Sequence, residues 1–314
     1  MKRKLFVILM LALLAFAVFI GVTACKKPPE ALQSPLDLTV EKRILTWDAV
    51  ENASGYVVRV DNNTYETEEC SLALYGIAMD GGDYRVEVMA RGDQVTYADS
   101  AWTQTVITLS KAPAQGYDEK GFQYTLLADK SGYEISKGKV SLRGDLVLPD
   151  YYCDIPVTRI ANCGFTLKEH DDVSLLTPLN NVTTSIKFPA HLESIGGTSF
   201  PGLFLIEELA LPDGVREIED FAFYNALNVK RIVLPKSIKI IGDHAFGNAG
   251  LKELTLPEGL ETIGKLAFAC DLVDGNTTHP QVSSNLESVV FPSSVTSIGP
   301  RAFEGQLKLG TIQF

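Results

Sequence analysis

The sequence predicts a mainly β chain in two parts, a small β-sandwich followed by a solenoid of short repeats, and two observations carry that prediction. Between Pro35 and about Leu109, apolar and polar residues alternate in short runs, the period-two pattern of half-buried strands. From Leu148 onward, a Leu-Pro or Phe-Pro dipeptide returns at a nearly fixed interval, with further apolar anchors at fixed offsets behind it. At 46% hydrophobic and 21% charged among 314 residues, the composition is that of a globular chain able to bury a core.

The N-terminal segment comes first. Lys2, Arg3 and Lys4 precede Leu5 to Val22, a stretch of eighteen residues without a charge, which is the order of an export signal. The stretch ends in Val22-Thr23-Ala24-Cys25. This resembles a bacterial lipobox, and the resemblance implies cleavage before Cys25 and a diacylglyceryl group on its sulfur. Residues 1–24 are then a lipoprotein signal peptide. Residues 25–34 are a lipidated tether whose Pro28 and Pro29 oppose a helix. Several acyl chains hold a protein stably at a membrane where one does not, so the expected location is the extracellular face of a bacterial envelope, with the lipid as the only membrane contact.

Residues 35–109 form the sandwich. Its runs are Leu36 to Val40, Arg43 to Trp47, Tyr56 to Val60, Ser71 to Leu74, Tyr84 to Ala90 and Thr103 to Leu109, with turn residues at 52–55, 61–63 and 80–83. The segments Leu45-Thr46-Trp47, Tyr56-Val57-Val58-Arg59-Val60 and Tyr84 to Ala90 resemble a bacterial fibronectin type III domain. In that family a tryptophan and a tyrosine fill the space between two sheets, which would be Trp47 and Tyr56; Leu74 and Tyr84 would stand at the corner before the penultimate strand. Arg91-Gly92-Asp93 falls in the loop where fibronectin carries its integrin-binding tripeptide, and Arg143-Gly144-Asp145 repeats the tripeptide outside the sandwich. The competing reading is that both are Gly-Asp turns that happen to follow an arginine.

Residues 110–146 are expected to be a linker and an N-terminal cap, with alternation over Phe122 to Leu126 and Gly132 to Ile135 suggesting a hairpin. The solenoid occupies residues 147–314. Its dipeptides end at Pro189, Pro212, Pro235, Pro257 and Pro292; six residues after each comes an isoleucine (195, 218, 241, 263, 298), and five after that a phenylalanine (200, 223, 246, 268, 303). Leu148-Pro149, Ile160 and Phe165 are a divergent earlier copy. Leucines at alternating positions point inward from a short strand, the proline ends that strand, and Gly196, Gly242, Gly264 and Gly299 are placed where a tight turn would need a residue without a Cβ. One unit is too small to bury its own apolar residues, so neighbours must stack.

This pattern resembles the BspA-like type of leucine-rich repeat, at about 23 residues per repeat, found in bacterial and protist surface proteins. Lys168 to Asn181 and Asp271 to Asn285 are insertions, while Gly197 and Glu219 depart from the consensus. Leu309 to Phe314 is one more strand without its proline, at the C-terminal edge whether or not the array continues.

Charge narrows the function. Lys and Arg number 28 against 39 Asp and Glu, a net charge of −11, which opposes a nucleic-acid partner. Cys70, Cys153, Cys163 and Cys270 form no metal spacing; Cys153 and Cys163 could pair, or remain thiols. Four histidines at 170, 191, 244 and 279 have no nucleophile at a recognisable spacing, and Glu169-His170-Asp171-Asp172 reads as a loop rather than a closed metal site. No enzyme, cofactor or metal is therefore expected. The outward strand positions between the leucines are the candidate ligand-binding face: Glu208, Ala210, Arg231, Val233, Glu253, Thr255, Ser288 and Val290. The mixture suits a protein or glycoprotein surface. The expected function is a non-catalytic surface lipoprotein that binds a macromolecule through its solenoid, as an adhesin or receptor; the alternative is an envelope scaffold for partners of the same cell.

Overall fold

The computed structural model describes residues 28–166, 183–270 and 286–313, and every regular element among them is a strand. The chain divides into two compact units.

Of the described residues, the first unit takes those from 28 to 40, then Ile44–Leu72 and Asp83–Thr108. Its strands form a four-stranded sheet in the order Asn63–Thr67, Gly55–Val60, Gly82–Arg91, Thr103–Leu109, a three-stranded sheet in the order Thr39–Glu41, Ile44–Thr46, Ser71–Ala73, and a parallel pair of Glu30–Ala31 with Tyr97–Ala98. Alternation does the sorting, because side chains on one strand point to opposite faces in turn. On Gly55–Val60 the buried side chains are Tyr56, Val58 and Val60, and on Gly82–Arg91 they are Val86, Val88 and Ala90. Leu45 and Trp47 are buried too, and the Trp47 ring meets Tyr56 edge-on at 5.2 Å.

The second unit holds Glu41–Arg43, Ala73–Gly82 and the described residues from Leu109 onward. Arg43 is buried there with three carbonyls as its acceptors: those of Cys153 (3.2 Å), Ala78 (2.5 Å) and Ser110. Buried polar groups need such partners. At the head of the unit, Gln115–Tyr117, Gln123–Leu126 and Tyr133–Ser136 pair antiparallel, and the last of them pairs parallel with Ile155–Ile160. From there one parallel ladder runs on through Ser194–Ile195, Glu217–Ile218, Ile240–Ile241, Thr262–Ile263 and Ser297–Ile298. It aligns Ile160, Ile195, Ile218, Ile241, Ile263 and Ile298 in one row, all but the last fully buried.

The leucine-bearing strands make a second, broken ladder. Gly144–Val147 pairs with Thr183–Lys187; Glu208–Ala210, Arg231–Val233 and Glu253–Leu254 form a triplet; Ser288–Val290 pairs with Thr311–Gln313. The second break coincides with the insertion at 271–285; the first has no explanation in the described residues. After five of these strands the proline carbonyl accepts the N–H three residues on, at Leu192, Val215, Ile238, Leu260 and Val295, so the proline opens a turn as well as closing a strand.

Between the ladders lie the phenylalanines. Phe165, Phe200, Phe223, Phe246, Phe268 and Phe303 stack nearly parallel at successive centroid distances of 4.8, 5.8, 5.3, 5.4 and 5.2 Å. Beside each ring a backbone bond ties the coils: the N–H of Phe200, Phe223, Phe246 and Phe268 donates to the carbonyl of Ala222, Ala245, Ala267 and Ala302 at 2.8 Å each.

The glycines after the isoleucines serve a different purpose from the one expected. None of Gly196, Gly242, Gly264 and Gly299 has a positive φ. A Cβ on Gly264 would instead lie 2.5 Å from the Gly242 carbonyl carbon and 2.6 Å from Asp243 N, and the other three meet the preceding coil as closely. The left-handed residue stands two positions later and is never glycine: Cys163, Thr198, Phe221, His244, Leu266 and Arg301 all have φ between 53° and 59°.

Between those positions, the side chain of one coil accepts the N–H of the next. Asn162 Oδ1 takes Gly197 N (2.9 Å), Asp220 Oδ1 takes Asp243 N (2.7 Å) and Asp243 Oδ1 takes Lys265 N (2.6 Å). Lys265 has no acceptor to offer, and the next coil carries Pro300, which has no N–H. The two departures from consensus are also linked. Glu219, standing where a glycine is usual, reaches across Ser194 and Gly197 to Arg159, 2.5 Å away, and accepts Gly197 N at 3.2 Å.

Gly264→Ala is expected to destabilise the protein by about 1–3 kcal/mol, the cost of overpacking. Leu266→Gly relieves a left-handed side chain but adds backbone entropy to the unfolded chain, and should change stability by no more than about 1 kcal/mol. Urea denaturation of both variants checks the contrast; the reverse order would restore the tight-turn role to the glycine.

Candidate ligand-binding face

Parallel register brings the proposed face together where the repeat is regular. Glu208, Arg231 and Glu253 stand side by side on three successive strands, with Leu209, Ile232 and Leu254 buried behind them. Ala210 and Val233 align one row over, and Thr255 follows immediately after Glu253–Leu254. Ser288 lies on a strand next to Glu253–Leu254 but outside its hydrogen-bonded ladder: it pairs with Thr311, and Val290 with Gln313. All eight residues are exposed.

The charges on this face largely cancel within it. Arg231 lies 3.5 Å from Glu208 and 3.8 Å from Glu253, on side chains more than half exposed. In the neighbouring row Lys230 donates to Glu207. That bond and the lysine charge hold the Glu207 carboxyl below its usual range. Exposed pairs of this kind add little stability, so the row is free to vary at small cost to the fold. Val233 remains 40% exposed and Val290 55% exposed beside it. Chemically the face offers paired charges next to aliphatic side chains, a surface for contact.

Other sequence candidates have structural employment. In Arg91-Gly92-Asp93, the arginine pairs with Glu66 at 2.6 Å and Gly92 is buried, where an added Cβ would lie 2.1 Å from the Tyr97 carbonyl oxygen. Asp93 Oδ1 accepts three backbone N–H groups, of Val95 (2.9 Å), Thr96 (2.7 Å) and Tyr97 (2.8 Å), and these bonds lower its pKa to about 2. In the second tripeptide Asp145 Oδ1 accepts the hydroxyls of Thr184 (2.9 Å) and Ser185 (2.6 Å), and its pKa is lowered by them. The first tripeptide is a turn, as a Gly-Asp pair suggests; the second is not, because Gly144 and Asp145 open the strand Gly144–Val147 and the aspartate is held by the strand beside it.

His191 shares a 2.5 Å hydrogen bond with the Tyr151 hydroxyl, and His244 stacks on Phe221 at 4.5 Å with Tyr224 edge-on to both. The aromatic group of Phe221, Tyr224 and His244 carries no repeat signal, because these are the variable positions of the unit. Cys70, Cys153, Cys163 and Cys270 are thiols, and among the described residues no group of three or more His, Cys, Asp or Glu is arranged to hold a metal. Cys25, the cluster at 169–172, His279 and both insertions lie outside the described residues. Among the described residues no helix is long and apolar enough to cross a membrane.

Comparison with known proteins agrees with the repeat geometry. Residues 180–279 and 281–314 match the BspA type leucine-rich repeat region, in six copies. The crystal structure of the T. pallidum leucine-rich repeat protein is similar at 27% identity and a TM-score of 0.52, over 62% of this chain and 80% of that one. A leucine-rich repeat protein from Bacteroides ovatus is 24% identical with a TM-score of 0.45, over 63% and 53% of the two chains. A leucine-rich cell surface protein from Faecalibacterium prausnitzii is 18% identical with a TM-score of 0.32, over 65% and 77%. The last two superpose too loosely to bear on the face. No curated protein matches the chain.

The Asp93 turn gives a sign that can be measured. A carboxyl with a lowered pKa contributes its stabilisation above the ordinary value, and loses it as the pH falls toward the lowered one. The amides of Val95, Thr96 and Tyr97 should therefore keep their hydrogen-bonded NMR shifts at neutral pH and lose them together as pH falls from about 4 to about 2. A midpoint near the ordinary value would mean that the carboxyl is not engaged.

Proposed function

We propose that this chain is a non-catalytic lipoprotein of the bacterial cell surface that binds a protein or glycoprotein through its repeats, in the manner of an adhesin or receptor. The observation that carries this reading is the exposed face of Glu208, Arg231, Val233, Glu253 and Thr255, held in register by a buried row of leucine and isoleucine. A repeat fold places such rows side by side and leaves them free to vary, because the stacking residues behind them do the folding.

The remaining parts fit the same reading. The basic residues 2–4, the uncharged Leu5 to Val22 and the Thr-Ala-Cys ending support export and acylation at Cys25. The three-stranded and four-stranded sheets, with Trp47 edge-on to Tyr56, support a fibronectin type III-like module over residues 35–109. Such a module would hold the repeats, from about residue 147, away from the membrane, with 110–146 as linker and cap. Ser288 contributes to the face only if a ligand spans both groups of strands.

Two measurements test this. Residues 26–314 probed against host and producing-cell surface proteins should retain one ligand, and Arg231→Glu combined with Val233→Asp should weaken it at least tenfold, about 1.4 kcal/mol, while the melting temperature holds. Unchanged binding would remove the face from the reading; ligands drawn only from the producing cell's envelope would favour a scaffold over an adhesin. Cys25→Ala should abolish palmitate labelling of the full chain, and undiminished labelling would sink the lipoprotein assignment.

A further inference from the structure

Unpaired strand edges invite association, and proteins usually guard them by shortness, charge or proline. Three edges of the first unit's four-stranded and three-stranded sheets are guarded in this way. Asn63–Thr67 carries Glu66 and runs into Glu68 and Glu69; Thr39–Glu41 ends on Glu41 beside Lys42; Ser71–Ala73 is three residues long. The fourth edge differs. Thr103–Leu109 is a seven-residue strand at the end of the four-stranded sheet, and it holds no charge, no proline and no glycine. Gln104, Val106 and Thr108 alternate outward, and Val106 is 65% exposed.

We propose that this edge pairs antiparallel with the same strand of a second copy, about a two-fold axis at Val106, joining two four-stranded sheets into one. An isologous contact requires the strand to be complementary to itself. Centred on Val106, the sequence Thr-Gln-Thr-Val-Ile-Thr-Leu sets Gln104 opposite Thr108 and Thr105 opposite Ile107, polar or β-branched residues that suit cross-strand contact.

The neighbouring strand adds charge complementarity. Arg85 donates to Gln104 at 2.8 Å and Thr108 donates to Asp83 at 2.6 Å. The two-fold brings Gln104 of one copy to Thr108 of the other, so Arg85, which also pairs with Glu87 at 2.6 Å, is linked through Gln104 and Thr108 toward the other copy's Asp83, and the edge strand itself brings no charge to the joint. A single strand pair is small for a protein interface, so the association is weak and gains from two copies sharing one surface.

Sedimentation of the full chain in detergent tests the pairing. The wild type should shift to twice the chain mass as concentration rises to about 200 µM, a range that detects weak association. Val106→Lys, which places two ammonium groups at the axis on an exposed site, should stay monomeric, whereas the near-isosteric Val106→Thr should still pair. An equimolar mixture of Val106→Lys and Val106→Glu should recover the dimer. A wild type that stays monomeric throughout, a Val106→Lys variant that still pairs, or a mass that keeps growing beyond two copies would each overturn the proposal.

Discussion

The stack of six phenylalanine rings sets the terms for the rest of the repeat unit. Its centroid spacing of about 5 Å is that of offset-stacked aromatic rings, and it nearly equals the distance between hydrogen-bonded strands. Because the two distances agree, a chain that places one ring per coil can also close a backbone ladder on each side of it. Each buried ring removes roughly 1.5–3 kcal/mol worth of apolar surface from water. In four of the coils the same closeness leaves no room for a Cβ after the isoleucine, and in every coil the chain turns there to put Cys163, Thr198, Phe221, His244, Leu266 or Arg301 in the left-handed region.

Much of this was legible in the sequence, since the offsets from proline to isoleucine to phenylalanine do not drift. The period alone aligns Glu208 with Arg231 and Glu253, so the candidate face could be read before any coordinates. Ser288 could not be placed that way, because the insertion before it interrupts the ladder. The longest continuous sheet was also hidden: its strands in the repeats are two residues long, too short to show alternation. The left-handed positions were partly visible. Gly202, Asn225, Asn248 and Gly305 are residue types that favour such a backbone, whereas Phe221 and Leu266 give no sign of it and are forced there by the coil.

The contrast between the two Arg-Gly-Asp tripeptides and the solenoid face shows how context decides what a short motif can do. The tripeptides look recognisable, yet Asp93 is already hydrogen-bonded within its own turn and Asp145 to the strand beside it. The solenoid residues form no motif. Their salt links are exposed and weakly held, so a partner could exchange them for its own contacts at little expense.

The hydrogen bonds running from Asp220 to Asp243 and on to Lys265 give the coils a direction and an order. Each acceptor is useful only if the coil after it presents an N–H at the matching place, and Pro300 is tolerated only because Lys265 precedes it. Arrays of this kind grow and shrink by copying or losing units. A rearrangement that set the Pro300 coil directly behind the Asp243 coil would strand a carboxylate, whereas copying the Asp220 coil in tandem would extend the chain of bonds. The units are thus not interchangeable tiles, and the array has a grammar that restricts which neighbours each unit can accept.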